Sequence, residues 1–202
     1  MQAFTTANLR AAAARIATAA ADAAAELNAA DGQLGDGDLG ITVSKGWEQI
    51  AANAAIMPDD VGMAFMEGAK AFQKVSSSSY GTLTATAFMA AAKACKGRTE
   101  VPFAETSALV AAARDAMMAR GKGALGDKTV LDALDAIARA TEGLADPAAL
   151  LAAADKACDA ALAEFKDKPN KLGRARMFGE RSQGLDDPGM LALRRVLDGL
   201  KG

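Results

Sequence analysis

Between Leu34 and Thr42 the chain reads LGDGDLGIT, and Asp31 stands just before that stretch. Asp31, Asp36 and Asp38 place three carboxylates within eight positions, separated by Gly32, Gly35 and Gly37 and followed by Gly40. A backbone this rich in glycine reaches positive φ without penalty and can fold all three acids onto one point. Three converging carboxylates repel one another unless a cation lies between them. Hard oxygen ligands, with neither thiol nor imidazole beside them, favour Mg²⁺, which keeps several waters and takes further ligands from substrate phosphates. The plain alternative is a solvated turn of Asp and Gly.

Other stretches bear on that choice. GKGALGDKT, with Gly121, Gly126, Lys128 and Thr129, resembles a phosphate-binding P-loop, but Asp127 stands between the second glycine and the lysine and a helix precedes it. The P-loop reading therefore fails, while a phosphate or nucleotide contact stays open. An EF-hand beginning at Asp36 fails as well, because no Glu closes the twelve-residue pattern. Arg174, Arg176 and Arg181 lie between Gly173 and Pro188, where one of them would suit a phosphate or ribose. The chain has no histidine, so the commonest general base and the usual zinc ligand are both missing. Cys95 and Cys158 sit in apolar helical patterns without CxxC spacing and read as buried free thiols.

The elements that must hold these groups are helices. Alanine is abundant, aromatics are 4 % and β-branched runs are nearly absent, which together predict an all-α fold. At 202 residues without a linker, residues 1–202 read as a single domain. The formal charge of −2, with both signs interspersed, offers no basic face for nucleic acid. No apolar run or leader pattern suggests a membrane, so a cytoplasmic protein is expected.

Periodicity predicts eight amphipathic helices. The first runs from Thr5 or Thr6 to about Leu27 on a stripe of Leu9, Ala13, Ile16, Ala20, Ala23 and Leu27. The second starts near Gly40 and turns Val43, Trp47, Ile50 and Ala54 inward. Pro58 and Asp59 mark the start of the third, which ends near Val75. After VSSSSYGTLT a fourth runs to Gly97, and the fifth carries Val110, Ala113 and Met117. Thr129 opens the sixth, with Val130, Leu134 and Ile137. Pro147 opens the seventh, whose stripe is Leu151, Ala154, Cys158, Ala161 and Phe165, and Pro169 ends it. Met190, Leu193, Leu197 and Leu200 make the eighth.

If eight such helices run up and down around one core, loops after odd-numbered helices share one end. Those loops are the Asp triad, the serine run, GKGALGDKT and GRARMFGERSQGLDDPG. The even ones, around Pro58, Pro102 and Pro147, are brief turns. One end thus gathers helix N-termini and backbone amides beside a carboxylate cluster, an arrangement suited to phosphates with Mg²⁺.

In order and spacing, LGDGDLG, SSSYGTL, GKGALGDKTVLDAL and GRARMFGERSQGLDDPG resemble the nucleotide-binding L subunit, or C-terminal domain, of dihydroxyacetone kinases. The resemblance spans essentially the whole chain. It implies a barrel of eight antiparallel helices with ADP or ATP at the rim, held through two Mg²⁺ ions by Asp31, Asp36 and Asp38. It carries nucleotide contact onto Leu39, Gly40, Ile41 and Thr42, onto Ser78 and Ser79, and onto Gly121 and Val130 beside the adenine. Arg174, Asp187, Pro188 and Gly189 match the closing loop. The family usually has DGDHG and GHxDPG, whereas Leu39 and Leu185 stand here in place of the histidines, a departure that points towards a different ketose, such as a four-carbon one.

In that family the ketose is held covalently on a histidine of a separate K subunit, a division of labour that a chain without histidine fits. The resemblance thus implies one subunit of a kinase, its donor either ATP or a phosphocarrier protein of a phosphotransferase system. The rival reading is a non-catalytic nucleotide-binding docking or regulatory protein.

Overall fold

Long alanine-rich segments with a larger apolar residue every third or fourth position leave little choice but helix, since alanine gives up no side-chain entropy there. In the computed structural model, which describes residues 2–75 and 78–201, nine α-helices form among the described residues. They are α1 (Thr6–Asp22), α2 (Ala24–Leu34), α3 (Leu39–Ala52), α4 (Val61–Val75), α5 (Ser79–Cys95), α6 (Thr106–Gly121), α7 (Val130–Ala140), α8 (Pro147–Phe165) and α9 (Pro188–Leu200). The first two are one predicted helix broken at Ala23, so the expected eight-helix plan holds. None of the described helices is long and apolar enough to cross a membrane.

The helices close into a ring in which α1 packs on α3, then α4, α5, α6, α7, α8 and α9 follow in order, and α9 returns to α1. One side is filled by rings at right angles or stacked, with Trp47 6.1 Å from Phe72 and Phe72 6.0 Å from Phe88. The other is built mainly of non-aromatic side chains, Ile137, Cys158, Met190 and Leu197, with Phe165 as its one ring among these. Cys95 and Cys158 are both buried and free, as their patterns implied.

Three local readings need correction. The first helix does not stop near Leu27 but continues to Leu34, so Asp31 lies in its last turns rather than in a loop. The third starts at Val61, not at Pro58 or Asp59, because the Asp60 carboxylate accepts the N–H of Met63 at 3.0 Å and that of Gly97 at 2.9 Å. Ala54 falls in a short 3-10 turn beyond the second helix. A two-stranded antiparallel pair, β1 (Ala3–Thr5) with β2 (Glu100–Pro102), sets Phe4 against Val101 and ties the N-terminal residues to the end bearing the even turns. Three-residue strands leave no periodic trace in a sequence.

Candidate metal centre

At the opposite end the odd loops touch one another in chain. Arg174 forms an ion pair with Asp36, and Thr42 donates from Oγ1 to Ser78 Oγ at 3.3 Å. Lys171 donates its N–H to the Asp127 carbonyl at 3.0 Å. The predicted gathering of four loops at one rim is therefore present. Ser76 and Ser77, the first half of the serine run, lie outside the described residues.

The centre of this rim is the acid triad, whose carboxylate oxygens lie within 4.8 Å of one another. Asp31, on α2, fixes the loop that follows: its Oδ2 accepts the N–H of Gly37 at 2.8 Å and that of Asp38 at 3.0 Å. Gly37 takes φ +76°, the left-handed region where a side chain would be strained. This turn brings Asp36 and Asp38 back over Asp31. The Arg174 guanidinium holds Asp36 below the usual carboxylate range, whereas burial, followed by the charges of Asp36 and Asp31, pushes Asp38 up. Three oxygen donors, partly exposed and mutually repelling, fit a hard divalent cation better than any group that needs nitrogen or sulfur.

The start of α3 is seated by a residue that the sequence reading passed over. Asn28, on α2, accepts from the N–H of Gly40 at 2.8 Å and of Ile41 at 3.3 Å through Oδ1. A weak helix former inside an alanine run was the available signal. The two helices approach so closely that a Cβ on Gly40 would stand 2.0 Å from the Ala24 carbonyl oxygen. These amides are thus engaged within the fold. Leu39 points into the core with Leu27, Val43 and Ala192, so the side chain in the family's histidine position is apolar and enclosed.

The remaining candidates divide. Ser78 caps α5, its Oγ accepting from the Gly81 N–H at 3.1 Å, and Ser79 beside it is exposed. Ile41 is exposed and Thr42 buried. Gly121 ends α6 against Leu83, and Val130 is buried with Met117 and Leu131. Pro188 is buried, and a Cβ on Gly189 would stand 3.5 Å from that of Val130, so the α7 and α9 starts adjoin. Asp187 is buried at the α9 N-cap, accepting from Met190 N–H and from the Asn170 amide at 2.9 Å each; burial drives its pKa up to about 6. Lys128 does not face the rim as a phosphate ligand would. Its side chain is fully buried and its ammonium donates to three main-chain carbonyls.

Residues 33–202 match the DAK2 domain family. The chain is 30 % identical over 169 residues to the ADP-binding subunit DhaL of the PEP-dependent dihydroxyacetone kinase of Escherichia coli, spanning 81 % of this chain and 80 % of that one. It is 35 % identical over 189 residues to a D-erythrulose kinase of Mycolicibacterium smegmatis, covering 88 % of this chain but only 32 % of the relative. Among solved structures, the native dihydroxyacetone kinase of C. freundii superposes with a TM-score of 0.73 at 25 % identity, over 95 % of this chain and 34 % of that one. The same kinase solved with AMP-PNP and Mg²⁺ gives a TM-score of 0.72 at 24 % identity, over 99 % and 34 % respectively.

Proposed function

This chain is a member of the DAK2 domain family, and from that premise we propose that it is the nucleotide-binding subunit of a ketose kinase, folded as one domain across residues 1–202 and working in the cytoplasm. The observation that carries the reading is the triad of Asp31, Asp36 and Asp38, whose oxygens converge within 4.8 Å at the rim where the four long loops meet. Two Mg²⁺ ions bound there would neutralise phosphate charge on ADP or ATP. Phosphoryl transfer asks a protein for little covalent chemistry, only positioning and charge stabilisation, so a site without histidine suffices for this half of the reaction.

The chain's own residues divide the work. Asp31 is the fixed ligand, since two backbone N–H groups already hold one of its oxygens. Asp38, raised by burial and then by the charges of Asp36 and Asp31, is favoured in its ionised form when positive charge arrives. Arg174, carried on the long loop, supplies a cation of its own to the phosphates or to Asp36. Ile41, Thr42, Ser78 and Ser79 line one side of the nucleotide, with Leu39 and Gly40 behind them in the packed start of α3, Gly121 and Val130 form the adenine end, and Asp187, Pro188 and Gly189 the closing side. The ketose is presented by a separate K subunit that covers the rim. The E. coli relative is PEP-dependent by name, which favours a phosphocarrier protein that rephosphorylates bound ADP. The M. smegmatis relative is a D-erythrulose kinase, which supports a four-carbon ketose.

The test mixes the purified chain with a K subunit, Mg²⁺, dihydroxyacetone or erythrulose, and either ATP or a phosphorylated carrier. Ketose phosphate is expected only when both subunits are present. Turnover by the isolated chain would end the two-subunit reading, and silence with every partner and donor would favour a docking role.

A further inference from the structure

The sequence places Lys128 where a phosphate reader would stand, and the structure gives it another task. Its Nζ donates to the carbonyls of Lys166 and Lys168 at 2.8 Å each and of Ser182 at 2.9 Å, which uses all three ammonium protons. No carboxylate bonds to it among the described residues, so a buried charge has been spent entirely on main-chain oxygens of one loop. That loop, residues 166–187, has only 3-10 turns over Arg174–Ser182 as regular structure. It spans the gap from the end of α8 to the start of α9, and it carries Arg174 to the acid triad.

The neighbouring bonds converge on the same loop. The Lys128 carbonyl accepts from the Asn170 amide at 2.7 Å, and that amide also donates to Asp187 at 2.9 Å. The Asn170 N–H donates to Ser182 Oγ at 2.9 Å, and Ser182 Oγ donates to the Gly179 carbonyl at 2.6 Å. Lys128 takes φ +59°, a left-handed backbone seldom adopted by a residue with a long side chain. An embedded ammonium gathering three carbonyls acts here as a structural cation would.

We propose that Lys128 is a positioning residue for the nucleotide site, fixing the 166–187 loop so that Arg174 is held opposite Asp31, Asp36 and Asp38. The assignment rests on the nucleotide reading above and specifies what sets its closing side. Lys128 itself touches neither phosphate nor metal.

Calorimetry with ADP and Mg²⁺ tests it on wild type, Lys128→Met, Arg174→Gln and the double variant, at a temperature where circular dichroism shows each folded. Lys128→Met should weaken binding at least tenfold, and the double variant should be scarcely weaker than either single one, because both remove the same contact. Hydrogen exchange in Lys128→Met should rise in residues 122–129 and 166–187 and stay unchanged in α3 to α5. Unaltered affinity in Lys128→Met, or losses that multiply in the double variant, would overturn the positioning role. If Lys128→Met does not fold, Asn170→Ala takes its place in the same cycle, with the same expectations. Failure of the wild type to bind ADP with Mg²⁺ would instead remove the nucleotide reading on which the role depends.

Discussion

Asp187 gives the closing loop a pH dependence whose size follows from its surroundings. The side chain accepts the Met190 N–H and the Asn170 amide, yet burial outweighs both bonds and the attraction of Lys128, and the pKa stands near 6 against an ordinary 3.8. A value raised in the folded state means that the native chain holds the proton more tightly than the unfolded one. The stabilising contribution is therefore complete below about pH 4 and is lost as the pH rises through about 6. A shift of about two units is worth about 3 kcal/mol. Asp187→Asn keeps an oxygen for the helix cap, where Asn serves about as well as Asp, but cannot titrate. Urea unfolding of wild type and variant from about pH 4 to about pH 7 should show the wild type losing about 3 kcal/mol relative to the variant across that window. A difference that stays constant would show that this carboxyl ionises in its ordinary range, and the argument from burial would fail.

Other substitutions probe the rim directly. Gly40→Ala puts a methyl group 2.0 Å from the Ala24 carbonyl oxygen, so thermal unfolding should show a loss of about 3 kcal/mol, and calorimetry should show weaker ADP binding as α3 is pushed from Asn28. Arg174→Gln removes the internal partner of Asp36. In titrations it should bind Mg²⁺ alone more tightly than wild type does, and ADP with Mg²⁺ more weakly. Asp38→Asn removes a carboxylate that burial, and then the charges of Asp36 and Asp31, push up, so in chelator its melting temperature should exceed that of the wild type.

The helical plan was legible because apolar spacing near 3.6 survives in every segment, from Ile16 and Ala20 to Met190 and Leu197. The break at Ala23 was not, since alanine suits a helix on either side of it. Gly32 reads as a helix breaker, but the turn it sits in is held by Asn28 and Asp31, whose bonds reach residues six to thirteen positions ahead. The acid triad could be found because its three members lie close in sequence. The role of Lys128 was left open because its partners lie 38, 40 and 54 residues away, and only the folded chain decides whether a lysine in a Gly-rich loop faces solvent or carbonyls. The enclosed position of Leu39 was equally hidden, as it depends on how α3 packs on α1, α2 and α9.

The central claim is that Asp31, Asp36 and Asp38 bind nucleotide through Mg²⁺. Calorimetric titration of ADP, with Mg²⁺ or with a chelator, into wild type, Asp36→Asn and Asp38→Asn measures it most directly. The account predicts binding to the wild type only with Mg²⁺ and severe loss in both variants, with the helical content of each intact. Equal affinity in the chelator, or unchanged affinity in both variants, would contradict it.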